Sequence, residues 1–167
     1  MKKALLIILS GMFLFIAGCV ESTTTREGDF NFIFRYGVTA KNEIDTFHDK
    51  FTKDMVNAPS ITINLSLTKE DMDSIYQKMV EIDFFNYPEE FKVTVPEGEL
   101  TRLVTPYSSY YFSVEKGAIF KELKWEDEIM NQDEKADRLR ELTSLIRDII
   151  ESKPEYQVLP EPSGGYL

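Results

Sequence analysis

Three groups of side chains in this chain of 167 residues are of types that could act on another molecule or hold it. The only histidine, His48, stands close to Asp45 and Asp49, and an imidazole beside carboxylates is the beginning of acid–base chemistry. No G-x-S-x-G supplies a nucleophile, and His48-Asp49-Lys50 reads as a turn, so a solvated histidine is expected. H-E-x-x-H and C-x-x-C are also absent, and with a single His and a single Cys no typical zinc site is expected. Acids gather at Glu89-Glu90, Glu97-Gly98-Glu99 and Glu126-Asp127-Glu128. Paired carboxylates suit glycoside hydrolysis, and clustered ones suit calcium. No D-x-D-x-D-G loop is present, and 29 acidic residues will cluster in any chain of this size, so solvated charge is the expected reading. A carboxylate-dependent hydrolase using Glu89 and Glu90, or a calcium-binding envelope domain, stands as the alternative. The third group is aromatic. TPYSSYYFSV (105–114) is the densest aromatic stretch, and Tyr107 and Tyr111 with Trp125 could form a stacking platform for a sugar or peptide. Alternation places Tyr110 and Phe112 on the opposite face, towards a core. Glycine-rich phosphate loops are absent, so nucleotide chemistry has no foothold and no cofactor is expected.

The single cysteine, Cys19, has a different setting. Lys2 and Lys3 are followed by an apolar stretch from Ala4 to Ile16, then by the small residues Ala17 and Gly18. That is the layout of a secretory signal, and the polar VESTTTREGD begins too soon for a bilayer-spanning helix. Ile16-Ala17-Gly18-Cys19 resembles the lipobox of bacterial lipoproteins. The resemblance implies that the Cys19 thiol receives a diacylglyceryl group and that signal peptidase II cleaves between Gly18 and Cys19. A thiol suits this role because it is the strongest side-chain nucleophile near neutral pH. One acyl chain holds a protein to a membrane only marginally, whereas two or three make release slow.

Composition narrows the partners. Loss of residues 1–18 leaves 149 residues, enough for one domain with a proper core. It also removes two lysines and no acid, so 17 basic residues face 29 acidic ones and the formal charge falls from −10 to −12. Such a surface repels phosphate backbones and anionic headgroups, so nucleic-acid binding is not expected and membrane attachment falls to the lipid. With the one cysteine consumed, the domain must be stable without disulfides.

The elements that must carry these residues follow from periodicity. Residues 19–29 form the lipidated cysteine and a flexible tether, which at ten residues spans at most about 35 Å. Residues 30–153 read as a single α+β domain, and 154–167 as a tail rich in Pro and Gly that lies extended along the domain or frays. Phe30, Phe32, Phe34 and Tyr36 alternate as a half-buried strand. NEIDTFHDKFTKDMV predicts two short strands around a turn, and Ile61, Ile63, Leu65 and Leu67 another strand. Phe91, Val93 and Val95 make a short strand, and residues 110–125 a hairpin with Gly117 at the turn. Thr68, with Asp71 three residues on, caps a helix whose face is Met72, Ile75, Met79 and Ile82. A second helix is predicted from about Gln132 to Ser152, with Asn131 as its cap and Ala136, Leu139, Leu142, Ile146 and Ile149 facing inward. Arg138, Arg140, Glu141, Arg147 and Asp148 are expected on its solvent side. Strands in runs, with two amphipathic helices, predict an antiparallel sheet with both helices packed on one face. The expected core includes Phe32, Ile63, Met79, Phe112, Leu142 and Ile146.

Residues 30–95, with YGVTAKNEIDTFHDKF and LTKEDMDSIYQKMVEIDFFNYPEEF, resemble small lipoproteins of Bacillus-type Firmicutes. That group has no assigned activity, so the resemblance implies a place and a fold without a reaction. The place is the extracytoplasmic face of a Gram-positive cytoplasmic membrane. Taken together, the sequence predicts a non-catalytic binding module, anchored by lipid, whose partner is an envelope protein, a peptide or a sugar.

Overall fold

The alternating aromatics of Phe30–Tyr36 form β1, the central strand of the molecule, in a computed structural model that describes residues 30–166. The expectations for the signal segment, for Gly18 and Cys19 and for the tether lie outside the described residues. β1 pairs antiparallel with β2 (Asn42–Asp45) on one side and with β6 (Ser109–Lys116) on the other. β3 (Lys50–Lys53) and β4 (Ile61–Asn64) extend the sheet beyond β2, and β7 (Ile119–Glu126) and β5 (Glu90–Phe91) extend it beyond β6. The order is β4-β3-β2-β1-β6-β7-β5. β6 and β7 are joined by Gly117-Ala118, where Gly117 takes the positive φ of +57° that the hairpin turn needs.

The sheet is mixed, not antiparallel throughout as the sequence predicts. β5 runs parallel to β7, with Glu90 opposite Lys124 and Phe91 opposite Trp125. The physical reason is connectivity. β5 leaves a helical segment, and the chain then loops back through residues 92–108 before entering the β6–β7 hairpin, so β5 meets β7 in the same direction.

Period two assigns the faces. Phe32, Phe34, Ile44, Phe51, Phe112, Val114, Leu123 and Trp125 point to one side and are buried. They join one core cluster with Ile75 and Met79 of α1 (Lys69–Glu81) and with Leu139, Leu142, Ile146 and Ile150 of α2 (Glu134–Glu151). Ile63 departs from the expected core: β4 is an edge strand, and Ile63 is only half-buried against the cluster.

The helix signals are read with one error. Thr68 accepts from the Asp71 amide, and the Asp71 carboxylate accepts from the Thr68 amide, so the capping box forms as spaced. At α2 the cap is Asp133, whose carboxylate accepts from Ala136 N at 3.0 Å. Asn131 is buried instead, accepting from Arg102 N at 2.7 Å and donating to Leu100 O at 3.0 Å. It pins the incoming loop. A third, short helix, α3 (Pro154–Gln157), starts with Pro154 at its first turn. Beyond it, Ser163 bridges to Val56 and Tyr166 donates to Asp54, so the C-terminal segment lies along the β3 side of the domain. Among the described residues no helix is long and apolar enough to cross a membrane.

Candidate functional site

The sheet separates the three aromatic residues of the expected platform. Tyr111 stands on the open face, half-buried, and its hydroxyl donates to Glu122 Oε1 at 2.5 Å. That bond, with some burial, raises the Tyr111 phenol above its ordinary value, so it stays a donor at neutral pH. Arg35 lies 5.3 Å from the Tyr111 ring and pairs with Glu43 at 2.5 Å, giving a polar row across β2, β1, β6 and β7. Tyr107 is half-buried in the loop before β6. Trp125 is on the opposite face, 2% exposed, with its ring 5.3 Å from Tyr110 and 5.7 Å from Phe91. Tyr111 and Trp125 therefore cannot stack on one ligand.

What the fold does bring together is Trp125 and two of the acidic clusters. The parallel pairing of β5 and β7 ends at Phe91 and Trp125. Past that point the groove between them has Lys92 and Val93 on one side and Glu126, Glu128 and Ile129 on the other. Its volume is about 350 Å³. Phe91, Val93, Trp125 and Ile129 give it apolar surface, while Glu90, Glu126 and Glu128 set three carboxylates against Lys92 and Lys124. Five of its nine lining residues are charged, more than the mostly apolar lining of an ordinary small-molecule site.

One atom stands out. Trp125 Nε1 is buried and has no hydrogen-bond partner among the described residues. A buried N–H without an acceptor costs about 1–3 kcal/mol. The rest of the indole is held firmly, with Arg140 of α2 5.5 Å from the ring. Arg140 does not lie free on the solvent side as its place in the helical pattern predicts. It reaches across to Asp127, and so removes the middle residue of Glu126-Asp127-Glu128 from the solvated cluster.

The other candidates stay apart. His48 is exposed, its Nδ1 2.8 Å from Asp45 Oδ2. Glu89, Glu97 and Glu99 are exposed as well. Among the described residues no group of three or more His, Cys, Asp and Glu side chains is arranged to hold a metal ion. The sequence reading named Trp125, Glu90 and both flanking acidic runs but missed Lys92, Val93, Lys124 and Ile129 as their companions. Contacts across a parallel pair, some thirty residues apart in the chain, leave no local pattern. Comparison with known proteins finds no matching family model, no matching curated protein and no matching solved structure.

Proposed function

We propose that this chain is a non-catalytic binding module, anchored through a lipidated Cys19 on the extracytoplasmic face of a Gram-positive cell membrane. Its groove over Trp125 would capture an extended, basic segment of another envelope protein or peptide. The observation that carries this reading is the groove itself, where the apolar side chains of Val93 and Ile129 lie with the carboxylates of Glu90, Glu126 and Glu128. Lysine or arginine side chains of that segment meet Glu90, Glu126 and Glu128. The acidic surface steers a cationic partner inward, and that steering weakens as salt is raised. A neutral sugar would use the same apolar surface and gain nothing from the carboxylates. The hydrolase reading rests on Glu89 and Glu90, of which only Glu90 lines the groove, and it requires turnover.

The chain has one tryptophan, so its fluorescence reports on this groove alone. Full chain in detergent micelles is titrated with short extended peptides rich in lysine, and with glutamate-rich peptides of the same length. Saturable change with the lysine peptides, weaker at high salt and weaker in a Glu126→Gln, Glu128→Gln double variant, is the expected result. Absence of saturation with any peptide, or binding indifferent to both salt and the double variant, overturns the proposal. Cleavage of the peptide selects the hydrolase.

A further inference from the structure

A second cavity, of about 300 Å³, lies on the far side of the molecule beneath the C-terminal segment. Its floor is Lys53 of β3 and Tyr36 of β1, and both are among the most buried polar-tipped side chains, 5% and 7% exposed. Lys53 shares the core-facing side of β3 with Phe51. The Lys53 ammonium sits 4.7 Å from the Tyr156 ring and makes no ion pair or hydrogen bond among the described residues. The stem is buried while the ammonium itself opens into the cavity, as is usual for a lysine whose aliphatic part packs in a core, and it is left free to meet a ligand there. Asp54, the adjacent buried acid, does not serve as its partner, because its carboxylate is engaged by Val56 N at 3.0 Å and by the Tyr166 hydroxyl. Burial holds the Tyr36 phenol well above its ordinary value, so its hydroxyl remains a donor.

From this geometry we propose that the cavity is a binding site for a free α-amino acid. The ligand carboxylate meets the Lys53 ammonium and the Tyr36 hydroxyl. The ligand ammonium faces the acids that also line the cavity, Glu151 and Glu161. A simple anion such as phosphate fits poorly, since Asp54, Glu151 and Glu161 outnumber Lys53 and Arg147 around it. Separated charges of both signs match a zwitterion. The volume lies at the low end for small-molecule sites and admits one residue-sized molecule. The C-terminal segment completes the site: Glu161, Pro162 and Tyr166 form its outer wall, held by Ser163 N donating to Met55 O at 3.3 Å and by Thr39 against Tyr166 at 3.1 Å. The site shares no residue with the groove over Trp125 and stands without it.

The test is thermal unfolding of the full chain in detergent micelles with each common L-amino acid in turn, and with acetate, phosphate and methylamine as controls. A ligand that binds only the folded state raises the midpoint as its concentration rises. At least one amino acid should raise it saturably while all three controls do not, and Lys53→Met should weaken that amino acid about tenfold or more. Trp125→Phe should leave its affinity unchanged. If Lys53→Met does not fold, Glu161→Gln at the exposed rim takes its place, with the same loss expected. The proposal is overturned if no amino acid shifts the midpoint, if acetate or phosphate does so equally, or if affinity survives the variant.

Discussion

The Arg140 guanidinium stands 5.5 Å from the Trp125 ring and donates to both carboxylate oxygens of Asp127, at 3.0 and 2.5 Å. It also reaches Ile129 O at 3.3 Å. One side chain of α2 thus braces the buried indole and holds the 127–129 wall of the groove. The two-pronged bond needs a planar fork that lysine lacks. Arg140→Lys should therefore lower stability by about 1–3 kcal/mol in urea unfolding, and it should shift the Trp125 emission in the folded state. An unchanged midpoint together with unchanged emission would show that the brace is decorative.

Trp125 itself separates packing from its orphaned donor. Trp125→Ala removes a large core ring and should cost about 3–5 kcal/mol. Trp125→Phe leaves a smaller void and also deletes the N–H that has no acceptor among the described residues. Its net cost should stay below about 1.5 kcal/mol, since relief of the unsatisfied donor offsets part of the lost packing. Equal losses for the two variants in denaturant melts would mean that the indole nitrogen is satisfied in solution.

The sequence carried much of the fold because local rules applied cleanly. Phe30 to Tyr36 alternate, Thr68 and Asp71 stand at capping-box spacing, and Gly117 marks the hairpin. The parallel placement of β5 was not legible, because a two-residue strand has too short a pattern to show its direction. Trp125 is a different case. Glu122-Leu123-Lys124-Trp125-Glu126 alternates, and that alternation already sets Trp125 beside Leu123 on the core side and away from Tyr111. The amphipathic character of tryptophan pointed to the surface, and the period decides against it. Lys53 is harder, since a lysine facing a core breaks the pattern that identifies cores.

Ile146 tests the α2 face. It is fully buried, one turn from Leu142 and from Ile150 in the same cluster. Ile146→Ala should cost about 2–5 kcal/mol as a cavity-forming change. A loss below about half a kcal/mol in a denaturant melt would mean the helix does not pack on this face.

Stability in acid depends on a link between helices. Asp71 serves the α1 capping box and also accepts from the Lys153 ammonium, which precedes α3. Burial alone would raise its carboxyl, but the bonds from Lys153 and Thr68 overcome this and hold it below its usual value. A depressed carboxylate contributes stability above its unfolded value of about 3.9, and loses it as pH falls through the folded value. Lys153→Met should therefore move the onset of acid unfolding to higher pH. At neutral pH the loss should be about 1 kcal/mol or less, because the pair is near the surface. An acid transition at the same pH in both proteins would rule this link out.

Anchoring is tested at Cys19, in a part of the chain outside the described residues. The lipobox resemblance implies that the thiol is alkylated first and the chain cut afterwards. Cys19→Ala should then accumulate as a precursor that still carries residues 1–18, visible as a heavier band, and should not incorporate labelled palmitate. Wild type should take up the label, run as the shorter form and fractionate with membranes in high salt. Salt is the useful discriminator, since a surface of formal charge −12 offers anionic lipids no attraction that salt could break. Attachment that survives it must come from acyl chains, at about 0.8 kcal/mol per buried methylene. A Cys19→Ala protein that is cleaved at the same bond and released in soluble form would replace the anchor with an ordinary secretory signal. The groove and the cavity would then belong to a freely diffusing protein.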